Sequence, residues 1–157
     1  DRSRRVLLAS LAGGIGLIFL QSAMVTARER IRRTLTVLAS AVDNDDPETI
    51  IRHIDAEYDQ DGLNAEAAAA RIRQGLTRWR IDDPIIYNVT ITVANDTAEA
   101  TFLAACRAGS SRHPMDSVVS SWRTRWRRRP TGWTIVGVKP VKVNLMDISS
   151  LDTLMRY

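Results

Sequence analysis

The sequence predicts an α+β protein with an N-terminal transmembrane helix, followed by three helices packed on a curved four-stranded antiparallel sheet. Three observations predict it: an uncharged apolar run over residues 6–27, apolar residues at helical spacing as far as residue 79, and an alternating apolar pattern from residue 85 onward. The 157 residues are 45% hydrophobic and 25% charged, which is the balance of a folded chain. The single cysteine, Cys106, excludes disulfide scaffolds and four-cysteine metal sites.

The apolar run at residues 6–27 would span roughly 33 Å as a helix, about the hydrocarbon thickness of a bilayer. We therefore predict a transmembrane helix after a basic tail at residues 1–5. Val25-Thr26-Ala27 also satisfies the small-residue rule for signal-peptide cleavage, so a removed signal peptide is the alternative. A retained span predicts a single-pass protein of the inner (cytoplasmic) membrane. The short basic tail favours the periplasmic side for the domain that follows.

The first helix after this segment is predicted from Ile31, Leu35, Leu38 and Val42, which recur at steps of four, three and four. This spacing places them along one face of a helix. The helix is predicted to end near Asp45. It continues directly from the apolar run.

A second helix is predicted to begin at Asp46-Pro47-Glu48, where an aspartate cap precedes a proline in the first helical turn. Asp61-Gly62 is predicted to end it. Its inward-facing residues are Ile50, Ile51, Ile54 and Tyr58. Asn64 then caps a third helix, alanine-rich over residues 65–70, which stops before Asp82-Asp83-Pro84.

Four strands are predicted between residues 85 and 143, because the apolar pattern changes there to a period of two. Turns at Asn95-Asp96 and at Arg129-Pro130-Thr131-Gly132 separate some of them. The residues predicted to face inward are Ile85, Tyr87, Val89, Ile91, Val93, Ala98, Ala100, Phe102, Ala104, Cys106, Val118, Trp122, Trp126 and Trp133. We place the α+β domain at residues 28–143 and an amphipathic tail at 144–157.

The order of these elements resembles the nuclear transport factor two-like superfamily, a cone-shaped, cystatin-like fold that includes SnoaL-like polyketide cyclases and ketosteroid isomerase-like proteins. The resemblance covers about residues 30–143. The segments that carry it are Asp46-Pro47-Glu48, Asp61-Gly62-Leu63, Ala98 to Phe102, Trp122 to Trp126, and Gly132 to Ile135. In isomerase-like and cyclase-like members the resemblance implies a carboxylate or histidine base at the mouth of the cone. No residue-by-residue match to that motif can be written here, and fold alone does not dictate function.

Five residues are candidates for lining a cavity in the cone, and each has an ordinary structural interpretation beside the functional one. A helical histidine is more often partly exposed than catalytic, and aromatic residues with one polar group are more often core residues than ligand contacts. A thiol among small apolar residues behaves as a buried hydrophobe. The candidates are His53, Tyr58, Tyr87, Cys106 and Trp122. We predict no catalytic residue, no cofactor and no metal site.

The charges are strongly polarised along the chain. Residues 43–66 contain nine acids and one base, whereas residues 107–142 contain nine bases and one acid. Alternation on the third strand places Arg123, Arg125 and Arg127 opposite the inward-facing tryptophans, and Arg128 and Arg129 extend this cluster into the turn. The ordinary interpretation of such a cluster is a solvated outer face of the sheet. The functional interpretation is a candidate surface for an anionic partner: phospholipid headgroups, an acidic protein, or nucleic acid if the domain is cytosolic.

These observations predict a membrane-tethered, non-catalytic binding or assembly module, whose partner is another protein or a second copy of the chain. The alternative is a small-molecule-binding protein or an isomerase- or cyclase-like enzyme that uses the cone cavity. Nucleic acid is not favoured, because Trp122 and Trp126 are predicted to point into the core and cannot stack on bases. Replacing Trp133 with alanine is predicted to cost about 3–5 kcal/mol of stability.

Overall fold

The computed structural model describes residues 26–144 and the backbone of residues 146 and 147. Helices come first and antiparallel strands follow, which confirms the predicted α+β class. The elements are α1 (residues 26–43), α2 (Pro47–Ile51), α3 (Ala65–Arg78), β1 (Arg80–Ala94), β2 (Thr97–Ser110), β3 (His113–Arg129), β4 (Gly132–Val143) and β5 (Met146–Asp147).

The predicted transmembrane helix at residues 6–27 lies, apart from its last two residues, outside the described residues. The basic tail at 1–5 and most of the tail at 144–157 lie outside them as well. Among residues 26–144, no helix is both long enough and apolar enough to cross a membrane.

The strands form one sheet in the order β1-β2-β3-β4-β5, and every neighbouring pair is antiparallel. The predicted four-stranded meander is therefore confirmed. The fifth strand, which was not predicted, is two residues long and pairs Met146 and Asp147 with the end of β4.

Helix α1 packs on the inward face of the sheet through the predicted apolar stripe. Ile31 and Leu35 are buried, and Leu38 packs against the same core. From the sheet the core receives mainly Ile91, Ala98, Ala100, Trp126, Trp133 and Ile135. Burial of the three large residues Trp126, Trp133 and Ile135 confirms the predicted inward face of β3 and the start of β4.

Helix α2 is shorter than predicted, because it ends at Ile51 rather than at Asp61-Gly62. The chain then runs beside β4, where the amide of Asp55 donates to the carbonyl of Ile135 at 2.9 Å and the amide of Ile135 donates to the carbonyl of His53 at 2.8 Å. Local spacing predicted a helix, but these distant backbone partners take the hydrogen bonds that a continuing helix would use. His53 and Tyr58 consequently lie in a connecting segment and not on a helix.

The predicted start of α3 is confirmed, since the Asn64 side chain accepts a hydrogen bond from the Ala67 amide at 2.9 Å. Strand β1 differs from the prediction in its start. It begins at Arg80 and carries Asp82-Asp83-Pro84 within it as an irregularity in the pairing with β2. A proline in an edge strand is tolerated because no neighbour needs its missing amide.

A second irregularity in β1, between Tyr87 and Thr90, breaks the predicted alternation. Asn88 has a φ of 53°, the left-handed conformation that asparagine tolerates. Ile86 packs against the core, whereas Ile85 is 62% exposed. The prediction that Ile85 and Tyr87 share the inward face with Ile91 was therefore wrong, because an extra residue in a strand reverses the faces before it.

The sheet has two ends, which we call proximal and distal. The proximal end carries the turns at Asn95-Asp96 and Pro130-Thr131, and the amide of Arg128 donates to the carbonyl of Asp96 at 2.7 Å between them. The distal end carries the turn at Ser111-Arg112.

Helix α1 starts at the proximal end and runs toward the distal half of the sheet. Arg30, in its second turn, lines a cleft together with Pro130 and Thr131 of the proximal turn. Asp43, at its last turn, accepts a hydrogen bond from the amide of Asp83 at 2.9 Å. The first described residue, Thr26, therefore lies toward the proximal end of the domain.

Candidate functional site

One carboxylate, that of Asp55, is deeply buried in the described structure, with 4% of the residue exposed. Both of its oxygens accept hydrogen bonds from Arg129, whose Nη2 and Nε lie 2.7 and 2.8 Å away. The Thr134 hydroxyl and the Glu57 amide also donate to it. We call Asp55, Glu57, Arg127, Arg129 and Thr134 the Asp55 cluster.

The Asp55 cluster fixes the ionisation of its members. The Arg129 guanidinium holds the pKa of Asp55 well below its usual range, more than offsetting the effect of burial, and Asp55 in turn raises the pKa of Arg129. Arg129 also lowers the pKa of Glu57. A general base needs a free lone pair and a pKa near the working pH. Asp55 has neither, so its role is to hold the 53–59 segment on β3 and β4.

The arginines predicted to form a surface for an anionic partner meet the acids of their own chain. Arg127 and Arg129 both pair with Glu57, and Arg129 also pairs with Asp55. On the outer face, Arg123 lies 3.6 Å from Glu99. The polarised sequence is thus explained in part by pairing within the fold between an acidic early segment and a basic late strand.

The other two arginines of this set are held differently. Arg125 donates through Nη2 to the carbonyl of Asp59 at 2.7 Å, which adds a further attachment of the 53–59 segment to β3. Arg128 lies 3.9 Å from the carboxylate of Asp96, and 58% of its side chain is exposed. Arg128 is therefore the member of the predicted surface that is held most weakly.

On the inward face of β3, Thr124 links a buried tryptophan to the neighbouring strand. Its hydroxyl accepts from Trp126 Nε1 at 2.8 Å and donates to the carbonyl of Ala100 at 3.2 Å. Trp126 is 1% exposed. Each polar atom of this buried group has a partner, as stable burial requires.

The same arrangement recurs four residues earlier. The Ser120 hydroxyl accepts from Trp122 Nε1 at 2.8 Å and donates to the carbonyl of Ala104 at 3.3 Å. Trp122 is only partly buried here, although Ser120 itself is buried. A hydroxyl two residues before a tryptophan is thus used twice on one strand.

The five predicted cavity residues are not brought together. The side chain of His53 lies 2.9 Å from the carbonyl of Thr49, and Tyr58 is buried in the core, where burial raises its pKa. Tyr87 pairs with Leu103 on the outer face. Cys106 and Trp122 lie half-buried on the inward face toward the distal end, and burial raises the pKa of the Cys106 thiol.

Two of the clefts on the surface of the described residues have a defined lining, and neither lining includes any of those five residues. The first, of about 340 Å³, lies at the proximal end. Its polar lining includes Arg30, Asp96 and Arg128. The second, of about 370 Å³, lies between α1 and β1 and is lined by Leu35, Ile86 and Val89 among others.

Sequence reasoning missed both the Asp55 cluster and the proximal cleft. The two oppositely charged blocks were the signal for the cluster, but they were interpreted as a surface for an external partner. The proximal cleft joins α1 to a turn about a hundred residues later, and no local pattern indicates such a contact. Among the described residues, no group of three or more His, Cys, Asp and Glu side chains is placed to hold a metal ion.

The fold is that of NTF2-like proteins, the nuclear transport factor two-like class with a cystatin-like architecture. An NTF2-like protein from Novosphingobium aromaticivorans superposes with a TM-score of 0.61 at 24% identity, over 78% of this chain and 86% of that one. A candidate scytalone dehydratase from the same species gives 0.64 at 10% identity, over 83% and 94%. A candidate NTF2-like dehydratase from Streptomyces avermitilis gives 0.61 at 17%, over 72% and 94%.

These similarities establish a cone-shaped α+β domain with three helices on a curved antiparallel sheet, as predicted. Identities of this size show the fold alone, which hosts many unrelated activities. No protein-family model matches the chain, and no curated protein matches it.

Proposed function

We propose that this protein is a membrane-tethered, non-catalytic binding or assembly module built on an NTF2-like domain. The observation that carries the proposal is that this chain's own side chains fill the proximal part of the cone interior. Ile31 and Leu35 of α1 pack there with Tyr58, Trp126 and Ile135. Catalytic members of a fold need a reachable polar group in such a place.

The state of the buried carboxylate supports the non-catalytic proposal. Asp55 accepts hydrogen bonds from Arg129, Thr134 and Glu57, and its pKa is lowered. Such a group is a structural anchor and not a proton acceptor. An assembly role is further supported by the outer face of the sheet, where Ile85 and Val119 are exposed in line with Ala105 between them.

The tether is proposed from the uncharged run at residues 6–27, which leads directly into α1. Ala27 is already buried in the core, so the domain begins where the predicted span ends. We propose a single pass through the inner membrane, with the domain on the periplasmic side and another protein or a second copy as its partner.

The alternative, a small-molecule-binding protein or an isomerase- or cyclase-like enzyme, is favoured by one observation. Phe102, Cys106 and Trp122 lie half-buried on the inward face toward the distal end, where a ligand could add to the core. The dehydratase descriptions of two structural neighbours fit this alternative.

Native mass spectrometry of the full chain in mild detergent separates the two proposals. An intact chain in multiple copies, or with a co-purifying protein and no small ligand, supports the module. A monomer with a bound small molecule overturns the proposal and favours the distal-end ligand site. Loss of that ligand mass in Trp122→Ala but not in Trp79→Ala would locate the site.

Alkaline extraction of the full chain from membranes tests the tether. We expect the chain to stay with the lipid, and Leu17→Arg with Ile18→Arg to release it, because each charge at the centre of a span costs about 2.5–3.5 kcal/mol of insertion free energy. Thr36→Arg with Val37→Arg, on the exposed face of α1, is the matched control and should stay in the membrane.

A further inference from the structure

We infer that the proximal end of the domain binds the headgroups of anionic phospholipids. This inference rests on the proposed tether, because α1 starts at the proximal end and the predicted span precedes it. The proximal cleft then faces the bilayer surface. The Ser111-Arg112 turn lies at the opposite end of β2 and β3 and points away from it.

The proximal end holds arginines that have no ion pair with the described residues or only a loose one. Arg28 and Arg30 are exposed and form no ion pair with the described residues, whereas Arg33 of the same helix pairs with Glu29 at 3.1 Å. Arg128 lies 3.9 Å from Asp96 and remains mostly exposed. Guanidinium groups without close carboxylates are the side chains best suited to bind phosphate.

The shape of the proximal cleft brings two of these arginines together. Arg30 from α1 and Arg128 from β3 line the same opening of about 340 Å³, which is also lined by Pro130, Thr131 and Gly132 of the proximal turn. Asp96 also lines the cleft and is the acid that an entering phosphate would displace from Arg128. Arg129 lines it too, but its Nε and Nη2 groups already bind Asp55 and Glu57.

The cleft differs from the rest of the arginine surface because it combines Arg30, which has no ion pair with the described residues, with the loosely paired Arg128. Arg127 and Arg129 each form an ion pair with a carboxylate of this chain, and Arg125 is bound to a backbone carbonyl. Arg123 and Arg128 are paired more loosely, at 3.6 Å from Glu99 and 3.9 Å from Asp96. An outside anion gains little from arginines that must first lose a partner. Arg30 and Arg128 can bind one at smaller cost.

The full chain in lipid nanodiscs tests this inference. A nitroxide on Thr131→Cys reports the proximal turn, and one on Ser111→Cys reports the distal turn, both in a Cys106→Ala background. We expect discs of equal parts phosphatidylcholine and phosphatidylglycerol to lower the accessibility of the Thr131 label to a water-soluble relaxant, compared with pure phosphatidylcholine discs. The label at residue 111 should not respond.

Removing the two cleft arginines gives the decisive comparison. Each arginine near an anionic bilayer changes the ratio of docked to undocked states by about fivefold, so Arg30→Gln with Arg128→Gln should lower it by about 25-fold. The matched control is Arg107→Gln with Arg112→Gln, two exposed arginines of the distal half, which should leave the response unchanged.

Three results would overturn the inference. Equal accessibility in both kinds of disc, with the chain still resistant to alkaline extraction, refutes lipid binding while the tether stands. A chain that leaves the membrane on extraction refutes the tether and the inference with it. An equal response to inorganic phosphate in pure phosphatidylcholine discs shows a site for free phosphate and not for a lipid headgroup.

Discussion

Trp126 and Trp122 lie four residues apart on the inward face of β3 and make the same hydrogen bond, yet one is buried and the other is half-exposed. Each indole donates to a hydroxyl two residues earlier, and each hydroxyl donates to a carbonyl of β2. The difference lies in what covers them. Trp126 belongs to the core cluster that contains α1 residues and Tyr58, and Trp122 does not.

This comparison shows that local sequence determined the geometry of each tryptophan, while distant elements determined its burial. The pattern of a hydroxyl residue followed two positions later by tryptophan is the same at Ser120 and Thr124. The covering residues come from elements more than sixty positions away. Stability should therefore be concentrated in the proximal half of the domain.

The largest loss of folding stability should come from truncating the buried tryptophans. Trp126→Ala should lower the free energy of unfolding by about 3–5 kcal/mol, the usual loss for a buried aromatic, and Trp133→Ala by a similar amount. Trp122→Ala should cost about half as much, because less apolar area returns to water. Thermal unfolding of the full chain in mild detergent, followed by near-ultraviolet circular dichroism, measures the difference. Equal losses at Trp126 and Trp122 would contradict the comparison.

The next largest loss of folding stability should come from changing the Asp55 cluster, which holds the 53–59 segment on β3 and β4. Asp55→Asn should cost about 3 kcal/mol, because it leaves the Arg129 guanidinium without its buried counter-charge. The same thermal measurement detects this loss. Asp96→Asn, which changes an exposed acid at the proximal turn, is the control and should leave the midpoint nearly unchanged.

A smaller effect should separate the two hydroxyl groups. Thr124→Val should cost about 1–3 kcal/mol, because the buried Trp126 indole and the Ala100 carbonyl lose their partner. Ser120→Ala should cost less, since the half-exposed indole of Trp122 can bond to water instead. A urea titration compares the two variants. A larger loss of stability in Ser120→Ala than in Thr124→Val would show that water reaches the Trp122 indole less easily than its exposure indicates.

The smallest effect should appear as a dependence on pH. The pKa of Asp55 is lower in the folded state than in the unfolded chain, so its contribution is complete above an unfolded pKa of about 3.9 and is lost as the pH falls toward the folded value. The loss should be about 0.4 kcal/mol at pH ~3.9 and about 1.3 kcal/mol at pH ~3. The difference between wild type and Asp55→Asn should narrow accordingly. A constant difference over this range would show that the pKa of Asp55 is not lowered in the folded state.

The sequence predicted those elements whose evidence is local. The stripe of Ile31, Leu35 and Leu38 placed α1 on the core, the Asn64 cap located the start of α3, and the turn at Asn95-Asp96 located the first hairpin. Each of these features lies within a few residues of the structure that it predicts, so no knowledge of the rest of the fold was needed.

The errors occurred where a distant partner overrides local spacing. The 53–59 segment has helical spacing, but Ile135 supplies its hydrogen bonds, and the left-handed Asn88 reverses the face of Ile85. Arg123, Arg125 and Arg127 lie on the face opposite the tryptophans, as predicted. Their partners could not be assigned, because nothing in a charge pattern states which acids will lie nearby.

The separation of 74 residues between Asp55 and Arg129 also sets an order of folding events. The 53–59 segment can dock only on a finished β3–β4 hairpin, since Arg129, Thr134 and Ile135 all belong to it. Closing so long a loop is slow, because the chain loses conformational entropy before the stabilising contacts of the Asp55 cluster form. The segment should therefore dock last during folding and detach first during unfolding. The amide hydrogen of Asp55 should then exchange with solvent through local opening, whereas the amide hydrogens of β3 should exchange only through global unfolding.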